Sequence, residues 1–130
     1  PFLTAATILG VLAQRLVRQL CPHCKQQTAM NTHEWEHLTF DYIMEMPETM
    51  YKAVGCEACR QTGYKGRVGI YEFMPVSLDS KTIISANGTL NDLKAQAKKE
   101  GIEPLRIAGA RKVIEGITTL EEVLRVVPLS

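Results

Sequence analysis

Cys21-Pro22-His23-Cys24 and Cys56-Glu57-Ala58-Cys59 are two C-x-x-C pairs separated by 31 residues, and the rest of the chain is read outward from them. Two intervening residues let both sulfurs of a pair turn toward one ion. Two such turns complete a tetrahedron of thiolates at about 2.3 Å, a closed structural zinc site with Cys21, Cys24, Cys56 and Cys59 as ligands. The gap exceeds the usual ribbon spacing of roughly 15–20 residues. Closing 31 residues rather than about 17 costs only about 0.5 kcal/mol more. Structural zinc contributes roughly 10–16 kcal/mol in small fingers, so the spacing does not argue against the site. Four thiolates and one Zn²⁺ leave two net negative charges. Arg18, Lys25, Arg60 and Lys65 lie close enough in sequence to offset them. A redox dithiol belongs at the start of a helix in a thioredoxin-like βαβ frame, which this sequence lacks.

Between the pairs, residues 26–51 carry five acids (Glu34, Glu36, Asp41, Glu45, Glu48) and no Lys or Arg. The flanks are basic, with Arg15, Arg18 and Lys25 on one side and Lys52, Arg60, Lys65 and Arg67 on the other. Beyond Trp35, Leu38, Phe40, Tyr42 and Ile43 the acidic insert has little apolar content, and a segment that small is expected to need the metal as a staple. Within it, His33-Glu34-Trp35-Glu36-His37 matches the H-E-x-x-H pattern of zinc peptidases. Only three positions are fixed, a third protein ligand is lacking, and no long apolar helix lies beneath it. A solvated helix or loop is the expectation.

The whole chain has 130 residues, 45% hydrophobic and 22% charged, which suits one soluble globular unit with a real core. A net charge of +1, without aromatics interleaved among basic residues, argues against a nucleic-acid partner. The apolar run from Phe2 to Ala13 is too short for a membrane span and has no basic lead-in, so neither a signal peptide nor a membrane helix is expected. Pro1 stands where a start methionine would be, which reads as a piece of a longer chain. Four cysteines without a secretory signal point to metal in a reducing compartment.

Leu9, Leu12, Leu16 and Leu20 recur at helical spacing, although Val11–Leu20 is also a passable strand. Val68, Ile70, Tyr71 and Phe73 predict a strand over 67–76, ended by Pro75. Four short helices follow. The first runs from Ser77 to Asn87-Gly88, and the second from Thr89 with Asp92 to Gly101. The third opens at Pro104 and ends at Gly116, with Ile117 packing back. The last is opened by a Thr119–Glu122 capping box.

Three stretches resemble the type II secretion and type IV pilus assembly ATPases, with the secretion branch favoured: Val11 to Cys24, Val54 to Glu72, and Ala110 to Val126. The resemblance covers nearly the whole chain apart from the acidic insert. It implies a C-terminal portion of a hexameric traffic ATPase that couples ATP hydrolysis to pseudopilus assembly and protein export. It further implies an α/β architecture: strands of a RecA-like sheet, an inserted four-cysteine zinc module and a C-terminal helical subdomain. The corresponding divisions are 1–20 (end of the motor domain), 21–66 (zinc module), 67–76 (returning strand) and 77–130 (helical subdomain). It favours strands for Val11–Leu20 and Arg67–Phe73, against the helical periodicity of the first.

Zinc would be the cofactor here, with ATP and Mg in the full-length parent. The partners implied are the other subunits of a homo-hexamer and inner-membrane platform proteins. The location implied is cytoplasmic, peripheral at the inner membrane. The family has an arginine near the nucleotide or subunit boundary where Arg67 stands; on residues alone, Arg67 equally reads as a strand-edge arginine paired with Glu72 or the thiolates. Arg15 is a candidate of the same kind. No G-x-x-x-x-G-K-[ST] loop is present, so no ATP hydrolysis is expected of these residues alone. The rival reading is a stand-alone zinc module that binds protein or nucleic acid.

Overall fold

The computed structural model describes residues 10–75 and 102–127. These form β1 (Gly10–Leu20), β2 (Gln26–Ala29), α1 (Thr32–Leu38), β3 (Thr49–Lys52), a single 3₁₀ turn (Glu57–Cys59), β4 (Tyr64–Pro75), α2 (Leu105–Ile114) and α3 (Leu120–Val126). The helices expected between Ser77 and Gly101 lie outside the described residues. The chain divides into two compact units, Gln14–Ile70 with Leu105–Ser130, and Pro1–Ala13 with Tyr71–Pro104. In the second unit, the described residues are 10–13, 71–75 and 102–104.

β1 is extended, as the resemblance implied and against the helical spacing of its leucines. Leu12 and Leu16 are exposed, whereas Val17, outside that spacing, is fully buried. The partner strand decides the matter: β1 pairs with β4 in a two-stranded sheet. The Cys21 amide donates to Gly63 O at 2.9 Å, so the end of β1 meets the start of β4 in antiparallel sense.

β2 and β3 form a second antiparallel pair, with Gln26 opposite Lys52 and Ala29 opposite Thr49. This ladder folds the long gap between the cysteine pairs back on itself. Its open end leaves Lys25 and Ala53 close, so hydrogen bonds of the ladder, rather than the metal alone, close the loop.

The acidic insert is not coreless. Asn31 caps α1, its side chain accepting from Glu34 N at 3.1 Å. Trp35 and Leu38 sit three apart on one helical face and are 1% and 0% exposed. They join Val17, Ile70, Leu105, Ala110, Val113, Leu120 and Val123 in one hydrophobic cluster of the first unit. Arg106 reaches across to donate to Leu38 O at 2.7 Å, satisfying a carbonyl at the end of α1. Trp35→Ala is expected to cost about 3–5 kcal/mol of unfolding free energy in urea titration, as for other buried aromatics. A loss below about 1 kcal/mol would show that α1 contributes little to this core.

α2 ends as its sequence suggests. Gly116 has φ +74, its amide donates to Val113 O, and the Ile117 amide donates to Lys112 O, both at 3.0 Å. This is the Schellman arrangement, in which glycine occupies the left-handed position without strain. The turn after it is tied to β1: Leu20 N donates to Ile117 O at 2.8 Å, and Thr118 Oγ1 to Arg18 O at 2.7 Å. Among the described residues no helix is long and apolar enough to cross a membrane.

Candidate metal centre

Each cysteine pair sits on a tight turn at the mouth of the β2–β3 ladder. In the first, the Cys24 and Lys25 amides fold back onto Cys21 O at 3.4 and 3.1 Å. In the second, the 3₁₀ turn is followed by Arg60 and Gln61, both at positive φ, and Gln61 N returns to Cys56 O at 2.8 Å. These turns bring four sulfurs together. The Sγ–Sγ distances Cys21–Cys56, Cys24–Cys59 and Cys56–Cys59 are each 3.8 Å, and all four sulfurs lie within 4.8 Å of one another.

A tetrahedron whose centre lies about 2.3 Å from each corner has edges of about 3.8 Å. Three of the six sulfur–sulfur distances match that edge and the other three are no longer than 4.8 Å, so the four sulfurs are close enough to surround one metal ion. They are much too far apart for the roughly 2.05 Å of a disulfide, and all four thiols are free. Among the described residues this is the one cluster of His, Cys, Asp or Glu able to hold a metal ion. His33 and His37 do lie on one helix, α1, but among the described residues no third ligand joins them.

The surroundings suit thiolates. Backbone amides aim at sulfur: Gly55 N to Cys24 Sγ at 3.4 Å, Cys56 N to Cys59 Sγ at 3.2 Å, and Gly63 N to Cys59 Sγ at 3.1 Å. Burial works to raise the Cys59 thiol, but the Cys56 and Gly63 amides outweigh it and bring it down to about 6. Burial pushes Cys24 up to about 11, helped by the neighbouring sulfurs and only partly opposed by the Gly55 amide. Without metal, Cys59 is readier than Cys24 to be a thiolate, and a metal entering the site must displace a proton from Cys24.

The compensation expected from nearby basic side chains takes another form. Arg18 is committed to Glu122, with Nη2 to Oε1 at 3.1 Å. Lys25 donates to Gly116 O at 2.9 Å and lies 4.5 Å over the Tyr51 ring. Arg60 and Lys65 point into solvent. Backbone dipoles do the near work instead, because amides on a tight turn reach the sulfurs without the entropy cost of ordering a long side chain.

Gly63 was missed from sequence as more than a turn residue. Its amide serves Cys59, its carbonyl accepts from Cys21 N, and its φ is +83. A Cβ there would stand 2.5 Å from Ala53 Cβ. Glu122 was also missed. Thr119 Oγ1 does accept from Glu122 N at 3.0 Å, the Thr119 half of the capping box. The Glu122 carboxylate turns instead to Arg18 N (2.8 Å), to the Arg18 guanidinium, and to Arg125 (2.9 and 3.0 Å). Tyr64 closes the ring, its hydroxyl 2.8 Å from Thr119 Oγ1 and its face 4.1 Å under the Arg18 guanidinium. This polar brace joins β1, β4 and α3 beside the cysteine turns. The capping-box spacing was the signal, but only tertiary contact reveals where the carboxylate goes.

Arg67 is exposed on β4, and its guanidinium makes no ion pair among the described residues. Arg15 is exposed on β1, donating to the adjacent Gln14 O at 2.8 Å.

Residues 1–125 match the Type II/IV secretion system protein family. The chain is 66% identical, over all of its 130 residues, to the type IV pilus assembly ATPase TfpB of Acinetobacter baylyi, of which it covers 22%. It is 43% identical over 126 residues, 97% of the chain and 24% of the relative, to the type II secretion system protein E of Pseudomonas aeruginosa. It is 40% identical over 124 residues, 95% of the chain and 14% of the relative, to the type IV pilus assembly ATPase PilB of Thermus thermophilus. The chain thus spans a quarter or less of the length of each. The matched residues run through both cysteine turns, the brace around Glu122 and most of α3, so the chain belongs to the Type II/IV secretion system protein family.

Proposed function

We propose that this chain is the zinc-bearing part of a hexameric ATPase that drives assembly of a pilus or pseudopilus. The observation that carries the reading is a family match over residues 1–125 in a chain whose four cysteine sulfurs gather within 4.8 Å of one another. Zinc suits four converging thiolates because it favours a tetrahedral sulfur shell, and a closed shell leaves no position for catalysis, which makes the ion structural. Its role is to hold two turns of backbone together beside the β1–β4 pair, which in the parent belongs to a RecA-like motor sheet. In the same reading, residues 1–20 are the end of the motor domain, 21–66 the zinc module, 67–76 the returning strand and 77–130 the helical subdomain.

ATP and Mg bind in the full-length parent. The partners are the other subunits of the hexamer and inner-membrane platform proteins, reached from the cytoplasm. The 66% identity to a pilus assembly ATPase, against 43% to a type II secretion protein, supports the pilus branch over the export branch. A stand-alone zinc module is the less favoured reading.

Arg67 is the residue we place at the nucleotide or subunit boundary, with Arg15 as a second candidate. A guanidinium that is exposed and makes no ion pair among the described residues is available for phosphate oxygens. Two outcomes follow. The 130-residue chain alone is expected to show no ATP turnover above blank, because it carries no phosphate-cradling loop; zinc-dependent turnover would contradict this. A host strain lacking the parent protein is expected to lose surface pili, and Arg67→Ala parent should restore neither pili nor more than about a tenth of wild-type turnover. Normal piliation without the parent would remove the proposed function. Full turnover and piliation with Arg67→Ala would remove only the role of Arg67.

A further inference from the structure

The stretch from Phe40 to Glu48, between α1 and β3, has no part in the metal centre. Thr39 caps α1, its amide returning to Trp35 O at 2.9 Å and its hydroxyl donating to the same carbonyl at 2.8 Å. Asp41 follows at φ 65 and turns the chain away from the helix. Its apolar side chains then face outward: Phe40 is 73% exposed, Ile43 fully exposed, and Met46 38% exposed. Ile114 on α2 is 44% exposed. Ile43, Met46, Pro47 and Ile114 share an open groove with Glu45, Glu48 and Arg111. All of these residues belong to one compact unit.

Scattered exposed apolar residues need no explanation, but several lining one groove mark an interaction surface. Methionine suits such a surface because its unbranched side chain adapts to different partners. The charge selects the partner. At the groove the exposed carboxylates Glu45 and Glu48 outnumber one arginine, Arg111, and residues 26–51 as a whole hold five acids and no Lys or Arg. Carboxylates around an apolar floor repel nucleic-acid phosphates and anionic lipid headgroups, and attract Lys and Arg.

We propose that this groove docks a protein segment whose apolar side chains are flanked by Lys or Arg. The binding mode is a basic amphipathic helix or strap laid into an acid-rimmed groove. This inference does not depend on the ATPase reading.

The test uses the 130-residue chain loaded with zinc and a short amphipathic helical peptide of Leu and Lys as probe, with a Leu/Glu peptide of the same pattern as control. Fluorescence anisotropy and amide chemical-shift mapping report binding. The Leu/Lys peptide is expected to bind with shifts centred on residues 43–48 and 114, more weakly as salt rises, while the control does not bind. Ile43→Lys with Met46→Lys, both outward-facing, is expected to weaken binding at least about tenfold with zinc content and melting midpoint unchanged. Affinity unchanged in that double variant, shifts centred elsewhere, equal binding of the Leu/Glu control, or concentration-dependent self-association covering the groove would each overturn the proposal.

Discussion

Cys59→Ser is expected to release the metal and to remove on the order of 5 kcal/mol of stability from the cysteine-bearing unit. Cys59 is the most connected of the four sulfurs. It lies 3.8 Å from both Cys24 and Cys56, and takes two backbone amides, from Cys56 and Gly63. Serine keeps the shape but offers no thiolate, and a three-sulfur site cannot close. Structural zinc contributes roughly 10–16 kcal/mol where there is almost no other core. Here Trp35 and its neighbours form a core of their own, so part of the fold survives and the loss is smaller. Thermal melting with parallel metal analysis checks this. A chelator should lower the wild-type midpoint to that of the variant and leave the variant where it is. Acid should mimic the chelator, because metal and proton compete for the same sulfurs. A Cys59→Ser protein with full metal content and an unchanged midpoint would contradict the expectation.

Glu122→Ala is expected to cost about 3 kcal/mol. The residue is 1% exposed, and its two arginine partners reach solvent. Removing the carboxylate leaves the Arg18 amide without its acceptor and two guanidinium groups facing a cavity, which is costlier than the net value of the ion pairs. Glu122→Gln keeps an acceptor for Arg18 N and should cost about half as much.

The same residue gives a pH signature. Burial alone would raise its pKa, but Arg125, Arg18 and the Arg18 amide together hold it down to about 2. A carboxyl lowered on folding stabilises the native state above its unfolded value of about 4.3, and that stability fades as pH falls toward 2. The contribution is on the order of 2–3 kcal/mol, after allowing for solvent screening of the exposed guanidinium groups. Urea titrations between about pH 5 and 2.5 should show wild type losing stability to acid more steeply than Glu122→Gln. Parallel curves would contradict the assignment.

Local chemistry was legible where it acts locally. The cysteine pairs, the glycine that ends α2, the Thr119 cap and the strand around Ile70 all follow from short-range rules, and all appear at their places. The failures share a cause, which is that tertiary partners choose among locally equal options. The leucines of β1 fit a helix as well as a strand until β4 is present to pair with it. The insert looked coreless because its two anchors, Trp35 and Leu38, find their apolar partners about seventy residues later, on α2. Arg18 looked like a counter-charge for thiolates because Cys21 is near in sequence, whereas Glu122 is nearer in space. The 31-residue gap looked like an open loop, and strand pairing inside it closes most of that distance.

Metal content per chain, measured by elemental mass spectrometry on protein purified without chelator, tests most directly whether the four sulfurs hold an ion. The expected result is about one zinc per chain, falling to none when the cysteines are replaced. Protein free of metal, yet with the amides of residues 53–66 still protected from hydrogen exchange, would show that these turns hold their shape without a metal.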